Sequence, residues 1–232
     1  CFLVVSTMKH KRGHRSVPLV STMKHKRGHR SVPWFLMNKN IFNTVQFHAC
    51  VDSARKLEDA QAEVAFAGRS NVGKSSLVNA LCGRRLLAKI SKTPGKTRTI
   101  NVFSIHNGKW IVDLPGYGFA AVSMKEKDNW KYMIECYLSS RPSLKAIFVL
   151  VDAYVGATAL DRQMLAWLKS AGMPYRIIVN KIDRITQVNL AEQRQSLALD
   201  LEVMPDHIFW VSAKKGTGIK DLHTSISGFL AL

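Results

Sequence analysis

The chain has 232 residues, 34 Lys+Arg against 16 Asp+Glu for a net charge of +18, and 47% apolar residues. That is enough apolar material for one core, and the basic excess favours a polyanionic partner, nucleic acid above all. The longest apolar run, Ala146–Val151, is far short of the roughly 18 residues of a membrane span, and Cys1, Cys50, Cys82 and Cys136 lack metal-ligand spacing, which argues against membrane and zinc-site classes. The four cysteines are expected to be free, mostly buried thiols of a reducing, cytoplasmic protein.

The chain opens on a duplication. Val5 to Pro18 reads VSTMKHKRGHRSVP, and Val20 to Pro33 repeats it letter for letter. Residues 1–36 hold eight Lys+Arg and no acid, yet a basic excess persists in the rest. Three readings fit: a non-native leader ahead of Met37, a basic arm that grips RNA nonspecifically, or an organelle-targeting segment. A secretory signal does not fit, because the apolar stretch Cys1–Val5 precedes the charges. The folded domain is expected to span 37–232, with the duplicated segment outside it.

The first strand-like run, Val64–Ala67, leads into Gly68-Arg69-Ser70-Asn71-Val72-Gly73-Lys74-Ser75, and a helical pattern covers Lys74–Leu81. This matches G-x-x-x-x-G-K-[ST] in the strand-to-helix context the motif needs. Glycines let the backbone curl so that N–H groups face a β-phosphate, and the helix N-terminus adds positive potential. Lys74 can reach the β- and γ-phosphates, Ser75 can ligate magnesium, and Ser76 is placed for the α-phosphate. Next comes Lys92-Thr-Pro-Gly-Lys-Thr-Arg-Thr99. A threonine here would close over magnesium and γ-phosphate; Thr97 is the expected one, with Thr93 and Thr99 as alternatives.

Strand-like runs Ile100–Ile105 and Trp110–Asp113 flank Asn107-Gly108, a hairpin signal. The second run ends in Asp113-Leu114-Pro115-Gly116, where the acid would hold magnesium and the Gly116 N–H the γ-phosphate. Helical patterns near Met124–Leu138, Leu160–Ala171, Asn189–Leu199 and Gly218–Phe229 then alternate with strand-like runs Ala146–Asp152, Tyr175–Asn180 and His207–Val211. One hairpin followed by such alternation predicts an α/β fold: three layers, with a mostly parallel six-stranded sheet and helices on both faces.

Asn180-Lys181-Ile182-Asp183 ends one of these runs and selects the base. The Asp183 carboxylate can accept from guanine N1–H and the 2-amino group. Adenine offers neither donor and would leave the carboxylate unpaired. Lys181 can lay its stem along the base, and Asn180 can tie this loop to the phosphate loop. Ser212-Ala213-Lys214 ends the last run, where the Ala213 N–H can meet guanine O6. The motifs together predict GTP and GDP as ligands and magnesium as the cofactor.

Six basic residues and no acid lie between 84 and 98: Arg84, Arg85, Lys89, Lys92, Lys96 and Arg98. They are expected to face RNA phosphates or to form an ordinary solvated surface. Trp110, Trp130, Trp167 and Trp210 are read as core packing, and the histidines after residue 36 show no metal-ligand spacing.

From about Met37 onward the chain resembles the EngB/YihA/YsxC family of bacterial ribosome-assembly GTPases. The residues that carry the likeness are Gly68–Ser76 (GRSNVGKSS), Lys92–Thr97 (KTPGKT), Asp113–Ala120 (DLPGYGFA), Val151-Asp152 and Leu160-Asp161. The resemblance implies a Ras-like P-loop GTPase fold and magnesium-dependent GTP hydrolysis. It also implies a role in maturation of the large ribosomal subunit, with ribosomal particles and their RNA as partners; separately, a monomer with no membrane association is expected. Many relatives carry Thr where Asn180 stands. Tyr117 follows Gly116 where Ras-type enzymes place a glutamine that orients water, so slow intrinsic hydrolysis is expected. In similar GTPases an asparagine at the position of Asn71 helps hold potassium; a loop-stabilising hydrogen bond is the alternative role. Two functions remain open at this point: a GTP-hydrolysing switch in subunit assembly, or a nucleotide-gated RNA-binding module with incidental turnover.

Overall fold

A strand buried on both faces carries an unbroken apolar run, and the centre of this protein is built from two such strands. The computed structural model describes residues 41–84, 87–88, 99–118 and 124–232. The duplicated segment and residues 89–98, with Thr93 and Thr97 among them, lie outside the described residues. So do Lys89, Lys92, Lys96 and Arg98 of the basic cluster, together with Arg85.

The strands are β1 (Gln46–Val51), β2 (Ala62–Gly68), β3 (Ile100–Ile105), β4 (Lys109–Asp113), β5 (Leu144–Asp152), β6 (Tyr175–Asn180) and β7 (Ile208–Trp210). The helices are α1 (Lys74–Leu81), α2 (Met124–Ser140), α3 (Ala159–Ser170), α4 (Gln187–Asp200) and α5 (Ile219–Leu230). They form one sheet in the order β1-β3-β4-β2-β5-β6-β7. The pairings β1–β3 and β3–β4 are antiparallel, and the others are parallel.

Side chains of the central strands alternate between two cores. Val64 and Phe66 of β2, with Ala146, Phe148 and Leu150 of β5, pack under α1 and α5 through Leu77, Leu81, Leu222 and Ile226. Ala65, Ala67, Ile147, Val149 and Val151 face the opposite way, onto Ile134 and Leu138 of α2, Leu165 and Leu168 of α3, and Leu197 of α4. This is the expected three-layer α/β arrangement. At the β3–β4 hairpin Asn107 and Gly108 both take left-handed φ, 61° and 65°, the conformation that makes Asn-Gly a turn signal. Among the described residues no helix is long and apolar enough to cross a membrane.

Two expectations need correction. The sheet has seven strands, not six, because β1 adds an antiparallel edge to β3. Its residues are mostly exposed and its register shifts between Phe47 and Ala49, so it lacks the apolar pattern that marks a buried strand. The cysteines are also not mostly buried: of the three described, Cys82 is buried, Cys136 partly so, and Cys50 exposed on β1.

Candidate nucleotide-binding site

The carboxyl ends of β2, β4, β5 and β6 lie side by side, and the loops that leave them converge. Ligands of such sheets gather there. The end of β2 and the loop that follows it carry Gly68–Gly73, with α1 starting at Lys74. Gly73 has φ 102°, and a Cβ there would stand 2.5 Å from Asn180 Nδ2, so only glycine fits between the two loops. Lys74 is buried, its ammonium 3.4 Å from the Gly68 carbonyl. Burial pulls the Lys74 pKa down, and the neighbouring Asp113 carboxylate opposes that shift.

Asp113, at the end of β4, is buried, and its Oδ2 accepts from Ser75 Oγ at 3.2 Å. Burial raises its pKa, with Lys74 and the Ser75 hydroxyl pulling the other way. Its Oδ1 is buried with no hydrogen-bond partner. A hydroxyl beside an orphaned carboxylate oxygen is a donor set that suits a hard divalent cation such as magnesium. Gly116 presses on the phosphate loop: a Cβ there would lie 3.0 Å from Ser70 N and 3.1 Å from Lys74 Nζ.

The loops after β6 and β7 form the other end of the site. Asn180 is buried; its Nδ2 donates to the Val72 carbonyl at 3.1 Å and its Oδ1 accepts from Ala213 N at 3.2 Å. One amide therefore ties three loops together. The Ala213 N–H is already directed at Asn180, so guanine O6 would have to share it. Ser212 Oγ donates to Asp183 Oδ1 at 2.6 Å, and this bond holds the Asp183 carboxyl below its ordinary range. Lys181, at φ 68°, donates to the Asn71 carbonyl and to Asp152 Oδ2, both at 2.6 Å. The Lys181 head thus anchors the phosphate loop to β5. Arg69 runs beside Tyr117 in a parallel bridge, its Nε buried without a partner. Ser76 continues α1, and Lys214 follows Ala213 in the exposed turn before α5. Thr99 is described, but its hydroxyl accepts from Cys50 Sγ at 3.1 Å on the β1 side.

Residues 63–181 match the family model described as "50S ribosome-binding GTPase". The chain is 42% identical over 190 residues to a probable GTP-binding protein EngB of Pelotomaculum thermopropionicum, covering 78% of this chain and 94% of that relative. The corresponding protein of Thermotoga maritima is 42% identical over 174 residues, covering 73% and 87%. The chain belongs to the EngB family of GTP-binding proteins. A crystal structure of a probable EngB superposes with a TM-score of 0.61 at 28% identity, covering 73% of this chain and 99% of that one. Era in complex with MgGDPNP and a segment of 16S ribosomal RNA superposes with a TM-score of 0.57 at 27% identity, covering 75% and 58%. The chain is thus a P-loop GTPase, an enzyme that binds and hydrolyses GTP.

For this EngB-family chain, sequence reasoning missed how the Asp113–Gly116 loop is held. Trp130 packs against the core as expected, and its Nε1 also donates to the Pro115 carbonyl at 2.9 Å. Tyr117 is buried, stacks edge-on against Trp130 with centroids 5.5 Å apart, and donates its hydroxyl to Asp161 Oδ1 at 2.8 Å. The sequence signal for this tie is Leu160-Asp161, one of the segments that carry the family likeness.

Proposed function

We propose that this GTPase is a switch in large ribosomal subunit assembly, gripping the particle in one nucleotide state and releasing it in the other. The contact of Gly116 with Ser70 and Lys74 carries this reading. A loop pressed on the phosphate cradle has to respond when a γ-phosphate is added or lost. The family description names the 50S particle, and the basic excess of the chain suits ribosomal RNA.

In this reading Gly68 through Gly73 wrap the β-phosphate with backbone N–H groups, Lys74 bridges β and γ, and Ser76 meets α. Ser75, Asp113 and Thr97 would hold magnesium, which when bound neutralises charge on the β- and γ-oxygens. The Gly116 N–H donates to the γ-phosphate. Asp183 reads the guanine edge, Lys181 lines the base with its stem, and Ser212 and Lys214 frame the loop that brings Ala213 to O6. The basic residues between 84 and 98 face RNA phosphates. The Tyr117 hydroxyl is committed to Asp161, which leaves no side chain from that position to orient water and supports slow intrinsic turnover. Potassium beside Asn71 would add the missing positive charge.

Single-turnover hydrolysis in potassium and in sodium, with and without large-subunit particles, tests the whole reading. Rates should be higher in potassium, and particles should raise them by about a hundredfold or more, the effect of one added charge-stabilising group. Particle-independent rates would make the chain a nucleotide-gated RNA-binding module with incidental turnover. Equal rates in both salts would leave Asn71 with a hydrogen bond that only stabilises the loop.

A further inference from the structure

Tyr117 is held from two sides. Its backbone continues the sheet onto the phosphate loop: Ser70 N donates to the Tyr117 carbonyl at 2.9 Å, and Tyr117 N donates to the Gly68 carbonyl at 3.2 Å. Its side chain reaches the opposite way, to the start of α3. There Asp161 divides its two oxygens. Oδ1 accepts from the Tyr117 hydroxyl, and Oδ2 accepts from Thr158 N at 2.8 Å and Thr158 Oγ1 at 2.7 Å, closing the N-terminus of α3. One residue on, Gly118 packs against Leu160, leaving 2.9 Å between Leu160 Cδ1 and the place where a Cβ would stand. One residue before is Gly116, against Lys74.

We infer that Tyr117 is a positioning residue: its hydroxyl bond to Asp161 fixes where the Gly116 amide stands over the phosphate loop, and so sets the relative affinity for GTP and GDP. The neighbouring atoms leave little freedom. Tyr117 and Asp161 are both buried, and a tyrosine clamped at its backbone and its tip cannot shift without moving Gly116 or breaking a bond. A γ-phosphate that draws Gly116 toward itself therefore pulls on the first turn of α3. Asp161 is where that pull arrives. The charge-assisted bond to a buried carboxylate makes the link strong, and the edge-on contact with Trp130 keeps the ring from swinging aside.

This rests on the reading of Gly116 as the γ-phosphate donor, and the test separates the two. Equilibrium titration with magnesium and either GDP or a nonhydrolysable GTP analogue gives an affinity ratio for each variant. Tyr117→Phe keeps the ring, its burial and its stack, and removes only the hydroxyl. It should weaken analogue binding by about fivefold to tenfold, less than the full size of one charge-assisted hydrogen bond because only the part that differs between the two nucleotide states is read, with GDP binding unchanged. Thr158→Ala removes a donor to the other oxygen of Asp161; it should lower thermal stability and leave the ratio alone. Gly116→Ala should collapse the ratio. An unchanged ratio in Tyr117→Phe beside a collapsed one in Gly116→Ala would overturn the positioning role. Equal changes in Tyr117→Phe and Thr158→Ala would also overturn it, by assigning the effect to the helix cap. An unchanged ratio in Gly116→Ala would instead remove the reading of Gly116.

Discussion

Asp183→Asn should lower GTP affinity by at least about two orders of magnitude, leave ATP binding poor, and raise affinity for xanthine nucleotides. Guanine brings two donors, N1–H and the 2-amino group, and a carboxylate accepts both. Charge-assisted bonds of this kind are worth roughly 1.5–3 kcal/mol each, so losing the pair costs about 3 kcal/mol or more. An amide in place of the carboxylate sets a donor against the 2-amino group, which adds repulsion to the loss. Xanthine has an oxygen at that position and restores the match. The fold should tolerate the change, because Asp183 is partly exposed and an asparagine oxygen can still accept from Ser212 Oγ. Titration with fluorescent GTP and XTP reads both affinities. Unchanged GTP binding would mean that the loop after β6 does not read the base.

The largest effect on stability should come from the other end of the sheet. Glu63, in the fully buried strand β2, is inaccessible to solvent, and its carboxylate is met by Arg141 Nε at 2.7 Å, Tyr137 Oη at 2.6 Å and the Ser143 hydroxyl. Arg141 is itself buried; it also donates to the Glu58 carbonyl at 2.8 Å and lies over the Trp110 ring, 5.4 Å from its centroid. Burial together with the Glu63 charge pushes the Tyr137 phenol well above its ordinary pKa, so it stays a donor. Arg141→Ala would leave the carboxylate with hydroxyl partners and no cation. Breaking one side of a buried pair typically costs about 3–5 kcal/mol, a large part of a domain's stability. Urea unfolding should show that loss. Glu63→Met combined with Arg141→Met should recover much of it, because no unpaired charge remains. A loss under 1 kcal/mol in Arg141→Ala would show that water reaches Glu63.

What the sequence made legible follows from how each feature is written. The phosphate cradle and the Asn180–Asp183 loop are contiguous, since one turn of backbone must deliver several groups to one ligand, and they stand at strand ends where that chemistry requires them. Strands β2 and β5 were legible because burial on both faces demands unbroken apolar runs. β1 was not, because an edge strand held by pairing with β3 needs no such run. The Glu63–Arg141 pair joins residues 78 apart. Its only local trace is one acid inside an apolar strand, with nothing to name the partner. Tyr117 was legible as a departure from glutamine, but its tie to Asp161, 44 residues on, is set by how α3 docks. Trp130 packs as a tryptophan on a helix is expected to, and the bond from its N–H to the Pro115 carbonyl depends in the same way on how α2 lies against the sheet.

Nucleotide state should control grip on the large ribosomal particle. Cosedimentation of the full chain with purified large-subunit particles, in a nonhydrolysable GTP analogue and in GDP across a salt series, measures this. Strong cosedimentation with the analogue and release with GDP are expected. Analogue-state binding should also fall steeply with salt, by about one log–log unit per phosphate contact. Equal binding in the two nucleotides at every salt concentration would contradict control by nucleotide state.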